Sequence, residues 1–246
     1  MRIIVNGAGG QMGRVLCAMI DENPATELAA RVSVEFTPDP ENRVFASIAD
    51  CDADADCIID FSHHTAVPAL CAYAAEKKLP LVIATTGLTA EEQAAADKAA
   101  ETVPVFRSAN MSLGVALVAA LAKTAAKALP GANIEIVEAH HNRKLDVPSG
   151  TALLLADAIK SVRPESTYNI GRHENGKRTD AEIGIHSLRL GGEVGMHEIH
   201  FATGTQVITL KHQAQTRALF AEGALSAAAF LVKQAPGCYC MDDLFA

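Results

Sequence analysis

Residues 1–14, MRIIVNGAGGQMGR, set the tightest limit on what this chain can fold into. An apolar run reads as a buried strand over residues 2–6, a glycine turn follows, and a helix begins near residue 11. Gly7, Gly10 and Gly13 form a GxxGxxG spacing. Gly7 allows the tight turn, Gly10 lets the backbone approach a pyrophosphate, and Gly13 lets helix and sheet pack closely. A strict GxGxxG fails, because its last glycine position holds Met12. The strand–turn–helix order is still the arrangement that dinucleotide binding requires. It would bring that turn against a bound phosphate.

The chain that follows keeps the same rhythm. Strands are expected over residues 27–34, 56–61, 81–84 and 103–106, with helices over 66–77 and from about 89. Strands alternating with helices of this length imply a parallel, doubly wound, Rossmann-like α/β sheet. The rhythm changes after Ser108. A long helix over 110–128 leads to a strand at 132–138 and a helix at 150–161. Residues 164–180 are polar and read as an exposed loop. Strand-like runs at 181–190, 196–203 and 206–213 are separated by Gly191-Gly192 and Thr203-Gly204 turns. These predict a second, α+β domain with an antiparallel or mixed sheet, and then a buried helix over 217–234.

A net charge of −8 argues against nucleic acid as the main partner. An acidic chain that binds anions must concentrate its cations locally. The six cysteines form no CxxC pair, which indicates neither a zinc site nor a redox dithiol. Cys238 and Cys240 read as exposed, the other four as buried and inert. No signal-peptide pattern is seen, and the apolar run at 113–122 stops at Lys123, too soon to span a bilayer. A cytoplasmic chain is expected.

The local cation cluster is in HHNRKLDVPSGTALLLA, residues 140–156. His140, His141, Arg143 and Lys144 offer protons and positive charge near neutral pH. The Pro-Ser-Gly-Thr turn then opens a helix whose N–H groups and dipole favour an anion. Ser149 is an N-cap candidate, Gly150 clears space, and Thr151 adds a hydroxyl. A small dicarboxylate would sit with one end on that helix start and the other on Lys144 or His141. No HExxH occurs and adjacent histidines point apart, so a metal is not expected.

Further cofactor candidates lie at the strand ends, where ligands of such sheets bind. Glu35, after the second strand, could accept hydrogen bonds from an adenosine ribose and would repel the extra phosphate of NADP. Phe36 follows it, so no arginine stands beside it, although Arg31 and Arg43 are possible substitutes. Phe61 with Ser62, Thr85-Thr86-Gly87, and Ala109-Asn110-Met111-Ser112 complete the set. Asn110 or Ser112 could equally cap a helix. His63 and His64 read as solvated loop residues or caps.

With these motifs in hand, the chain resembles the 4-hydroxy-tetrahydrodipicolinate reductase (dihydrodipicolinate reductase) family. The resemblance runs through VNGAGGQMGR, DFS, ATTG, ANMSLGV, EAHHNRKLDVPSGTAL and LRLGGEVGMHEIHF. It implies a dinucleotide-binding domain of residues 1–112 and 217–246, completed by the C-terminal helix. Residues 113–216 would form a substrate domain whose open mixed sheet builds a homotetramer. It also implies NAD(P)H-dependent reduction of a cyclic imine dicarboxylate in the diaminopimelate–lysine pathway. His140 would be the proton donor/acceptor and Lys144 a second donor, with His141, Gly150 and Thr151 contacting substrate, and with Gly7, Ala8, Gly9, Gly10, Gln11, Met12, Glu35, Ala84, Thr85, Thr86, Ala109, Asn110, Met111 and Ser112 lining the cofactor. Phe36 stands where some members carry an arginine, which tilts the cofactor towards NADH or dual use. Ala84 stands where a glycine is common. Two rivals remain. Another dehydrogenase of this plan, such as one acting on aspartate, should lack the HHNRK–PSGT pairing. A nucleotide-sensing binding protein would need no proton donor.

Overall fold

The computed structural model describes residues 1–245 and divides into two compact units, Met1–Ser112 with the segment from Ala218 onwards, and Leu113–Arg217. Along the chain the strands are β1 (Arg2–Asn6), β2 (Glu27–Val32), β3 (Val44–Phe45), β4 (Cys57–Asp60), β5 (Leu81–Ile83), β6 (Pro104–Arg107), β7 (Asn133–His140), β8 (Thr167–Ile170), β9 (Glu182–Arg189), β10 (Gly195–Ala202), β11 (Val207–Ala214) and β12 (Gly237–Tyr239). The helices are α1 (Gln11–Glu22), α2 (Val67–Lys77), α3 (Ala90–Ala100), α4 (Leu113–Ala128), α5 (Gly150–Lys160) and α6 (Ala218–Leu231).

The first unit is a seven-stranded sheet in the order β12-β6-β5-β4-β1-β2-β3, parallel throughout. This is the doubly wound order with a switch point between β1 and β4, the crevice where such sheets bind ligands. Its strands are apolar on both faces because helices cover both. Ile4, Ile58, Leu81 and Ile83 pack on the α2 and α3 side, while Ile3, Val5, Ile59 and Val82 are equally buried on the other. There α6 packs against α1 and the sheet. A Cβ on Gly223 of α6 would lie 1.6 Å from the Met111 carbonyl oxygen, so this glycine lets the helix press directly on the loop 109–112.

The second unit is a five-stranded mixed sheet, order β11-β10-β7-β9-β8, with β10 antiparallel to both neighbours and β7, β9 and β8 parallel. Helices α4 and α5 cover one face, burying Ile134, Ile136, Ile183, Ile185, Ile199 and Phe201. Alternation along β7 puts Ile134, Ile136, Glu138 and His140 on that same face. The apolar stripe therefore turns polar at its C-terminal end, and the candidate site begins there.

Four expectations change. Residues 164–180, expected as a loop, contain β8, an edge strand with Ile170 half exposed and no apolar alternation to announce it. The helix expected from residue 110 begins at Leu113, because Ser108 and Asn110 side chains tie the preceding backbone into turns, Ser108 Oγ to the Asn110 carbonyl and the Ser112 N–H to Asn110 Oδ1. The strand expected to reach residue 34 ends at Val32. Beyond it the Ser33 hydroxyl accepts from the Glu35 N–H and the Phe36 N–H bonds to the Ser33 carbonyl, which turns the chain. Strands β3 and β12, of two and three residues, carry too little pattern to be read from sequence.

Candidate active site

In the first unit the glycine turn has the geometry a phosphate needs. Gly7 sits at φ +82, a conformation side chains resist, and a Cβ there would fall 2.5 Å from the Phe61 carbonyl oxygen. Its N–H and that of Ala8 bind the Val32 carbonyl, at 2.9 and 3.0 Å. Gly10 is the N-cap of α1 and brings no side chain to that helix end. A Cβ on Gly9 would come 2.6 Å from Ser33 Oγ and 2.9 Å from Glu35 Oε2, so the Glu35 carboxylate lies beside the turn. Gly9 is buried in the turn, while Gly10 and Gln11 are exposed and Met12 half-buried. The turn, the helix start and the adjoining carboxylate fit a dinucleotide in shape and charge.

The neighbouring strand ends are organised by one buried acid that sequence reasoning did not single out. Asp60, at the end of β4, accepts from Asn6 Nδ2 at 2.8 Å, Thr85 Oγ1 at 2.7 Å and the Ser62 N–H at 3.2 Å. Burial pushes its carboxyl above the ordinary range, against the pull of these donors. It ties together β1, the Phe61-Ser62 loop and the Ala84–Thr86 segment. Ala84 and Thr85 are buried there and Thr86 is exposed. In the last loop Ala109 is exposed, Asn110 half-buried, and Met111 and Ser112 are each 2% exposed. His63 caps its own turn, and His64 pairs with Glu92 at 2.8 Å, so neither is placed as a catalyst.

In the second unit His140 ends β7 with its ring largely buried. Its Nδ1 lies 2.6 Å from Oε2 of Glu138, two residues back on the same face. Glu138 is fully buried and takes a two-pronged grip from Arg189 of β9, both contacts at 2.9 Å. The register that sets His140 beside Arg189 creates this triad. Burial opposes the Glu138 charge, but the Arg189 guanidinium and His140 outweigh it and hold the carboxyl below its usual range. His197, opposite Glu138 on β10, donates to or accepts from Ser149 Oγ at 3.1 Å and meets the His140 ring edge-on at 5.2 Å. Burial first, and His140 beside it, push His197 down to about 3, so it stays neutral beside the donor candidate.

Ser149 caps α5, its Oγ accepting from the Ala152 N–H at 3.2 Å, and its own N–H reaches Glu138 Oε1 at 3.1 Å. Gly150 is exposed at the helix start and Thr151 half-buried behind it. Lys144 lies in the loop between His140 and Ser149, paired with Asp146 at 2.8 Å rather than with the histidines. His141 is half-buried with Nδ1 unpartnered. Burial, then the Arg143 charge, lowers its pKa. Among the described residues no group of three or more His, Cys, Asp or Glu side chains is placed to hold a metal ion.

His140 and Ser149 are thus brought together through Glu138, while Lys144 stands apart on its loop. Glu138, Arg189, His197 and Gly195 were missed from sequence. Glu138 carried a readable signal, a charge on the strand face filled by Ile134 and Ile136. A Cβ on Gly195 would come 3.1 Å from His140 Nε2, which marks the side of the ring kept clear.

Family models described as dihydrodipicolinate reductase, N-terminus and C-terminus, match residues 1–111 and 114–245. A 4-hydroxy-tetrahydrodipicolinate reductase of Caldanaerobacter subterraneus is 48% identical over 99% of this chain and 98% of its own length. One of Clostridium tetani is 42% identical over 98% of this chain and 96% of its own. The solved structure of a dipicolinate-bound dihydrodipicolinate reductase from a Paenisporosarcina species superposes with a TM-score of 0.82 at 27% identity, covering 98% of this chain and 97% of that one. A DAP dehydrogenase from C. glutamicum shares the fold alone, at TM-score 0.59 and 13% identity, covering 100% of this chain and 95% of that one. The fold by itself therefore does not separate one dehydrogenase from another.

Proposed function

The chain belongs to the dihydrodipicolinate reductase family, and we propose that it works with His140 as proton donor, Lys144 as a second donor and the α5 start as the grip for a substrate carboxylate. It is an NAD(P)-dependent oxidoreductase of diaminopimelate and lysine biosynthesis, reducing 4-hydroxy-tetrahydrodipicolinate to tetrahydrodipicolinate. The observation that carries the assignment of roles is the His140–Glu138 pair beside the Ser149-capped helix start. A neutral rival that only sensed nucleotide would need neither.

Residues 1–112 with the segment from 217 would bind the cofactor, and residues 113–216 the substrate. Gly7, Ala8, Gly9, Gly10, Gln11 and Met12 would hold the pyrophosphate and Glu35 the adenosine ribose. Phe61, Ala84, Thr85, Thr86 and the Ala109–Ser112 loop would line the nicotinamide end. When bound, the nucleotide supplies the hydride. The protein's own part is to hold the dicarboxylate and deliver a proton. The N–H groups at Ser149, Gly150 and Thr151, with Lys144 and His141, would neutralise the carboxylates and favour the electron-rich enamine that develops. His140 would then protonate the adjacent carbon from Nε2. Thr151→Val should weaken dipicolinate by about 1–3 kcal/mol, the loss of one hydrogen bond to a charged group. Unchanged inhibition in a folded variant would remove Thr151 from the site.

Cofactor choice follows from Glu35. Arg31 is paired with Asp21 and Arg43 with Glu27, each at 2.9 Å, so both substitutes for the missing arginine at position 36 are committed elsewhere. NADH should be used at least as well as NADPH in kcat/KM. A preference for NADPH above about tenfold, about 1.4 kcal/mol, would overturn this. A homotetramer belongs to the same proposal. The face of the second sheet opposite α4 and α5 leaves Leu188 and Val207 46% and 61% exposed, a surface for copies to meet on. A monomer mass by light scattering would remove it.

A further inference from the structure

We propose that Glu138 is the positioning residue of this site, a single buried carboxylate that fixes the proton donor and the substrate-gripping helix start in one frame, with Arg189 as its counter-ion. The inference rests on the roles given above to His140 and to the start of α5.

Each Glu138 oxygen takes two donors. Oε2 accepts from His140 Nδ1 at 2.6 Å and Arg189 Nη1 at 2.9 Å. Oε1 accepts from Arg189 Nη2 at 2.9 Å and the Ser149 N–H at 3.1 Å. That uses the whole acceptor capacity of a carboxylate. A charge buried this deeply does little for the fold alone, because well-packed apolar residues in its place are often as stable. The β7 residues before it on that face, Ile134 and Ile136, belong to the apolar core.

The chemistry gives the charge a use. A carboxylate gripped by a guanidinium is ionised and carries no hydrogen, so Nδ1 of His140 must be the donor to it. The neutral ring then holds its proton on Nδ1, and Nε2 is the nitrogen that takes and gives the reacting proton. Nε2 faces Gly195, where no side chain intrudes. The second use is closure. The segment from His141 to Pro148 carries Lys144, and both its ends rest on this carboxylate, the His140 ring at entry and the Ser149 N–H at exit. Arg189 braces the same loop through the Asp146 carbonyl at 2.6 Å. Losing the carboxylate would free both halves of the site at once.

The test compares Glu138→Gln, Arg189→Lys and His140→Gln with the parent, measuring kcat, NADH affinity, dipicolinate affinity and the ¹⁵N signals of His140. An amide at 138 cannot accept from His140, Arg189 and Ser149 together, because one side of it is now a donor. In E138Q, NADH should bind within about twofold of the parent while kcat falls at least tenfold and up to about 10³, reaching into the scale of about 10²–10⁴ for general acid catalysis. Dipicolinate should weaken at least fivefold, and the neutral His140 ring should lose its Nδ1–H preference. R189K, which keeps the charge but not the fork, should show the same pattern more weakly. Parent-like kcat in E138Q beside a crippled H140Q overturns the positioning role and leaves the donor intact. Parent-like kcat in H140Q overturns the donor reading itself. A kcat loss with unchanged dipicolinate affinity overturns the single frame. If E138Q does not fold, R189K decides on the same terms. An Nε2–H neutral tautomer of His140 in the parent protein overturns the proposal outright.

Discussion

His140→Gln should leave NADH binding unchanged and lower kcat by about 10²–10⁴, the usual scale for losing a general acid. Glutamine keeps a polar side chain of similar reach on a strand end that stays anchored through Leu190, whose N–H binds the His140 carbonyl at 2.8 Å. It has no proton to give near neutral pH. The neighbouring imidazole cannot replace it, since His197 is held neutral down to about 3. Lys144→Ala should raise KM as well as lower kcat, because its charge would serve the bound dicarboxylate and the transition state alike. The two losses should not add, as both residues act on one event. An H140Q enzyme nearly as fast as the parent beside an inactive K144A would make Lys144, or a water, the donor.

Gly13→Val should be the most damaging single change in the first unit. A Cβ at this position would sit 2.1 Å from the Gly7 carbonyl oxygen and 2.7 Å from Ala8 Cα. Both are backbone atoms of the turn itself, so no side chain can swing aside. Either α1 lifts from the sheet or the turn opens, and both displace the N–H groups that would face a pyrophosphate. Overpacking of this kind costs about 1–3 kcal/mol, and a chain of this size loses roughly 2–4 °C of Tm per kcal/mol. NADH affinity should fall by more than about tenfold together with the lowered Tm. A variant with parent Tm and NADH affinity within twofold would show that the turn tolerates the extra atoms.

Much of the fold was readable because its signals are local. The parallel sheet announces itself through short apolar strands separated by helices, and the turn at Gly7 through its spacing. The segment from His140 to Thr151 carries its chemistry within a dozen consecutive residues. What escaped depends on register. Arg189 matters because β9 runs parallel to β7 with Arg189 beside His140, and His197 because β10 faces Glu138. No local pattern states that pairing. Strand β8 escaped for the opposite reason, since an edge strand half open to solvent needs no apolar alternation. The α4 start expected at residue 110 falls early because Ser and Asn serve helix caps and turns alike, and here Ser108 and Asn110 build turns.

The return of the chain to its first unit sets an order on synthesis. Residues 113–217 lie between the two parts of that unit. At roughly 5–20 residues per second a ribosome needs about 5–20 s to make such an insert. Until it has done so, β6 is an open sheet edge without β12, and the sheet face destined for α6 is bare. The nascent chain must therefore carry an uncapped strand edge through that interval, the kind of surface that invites mispairing. The inserted unit has all of its own strands in hand by Ala214, before β12 is made, so the unit whose strands appear first is the one whose sheet is completed last.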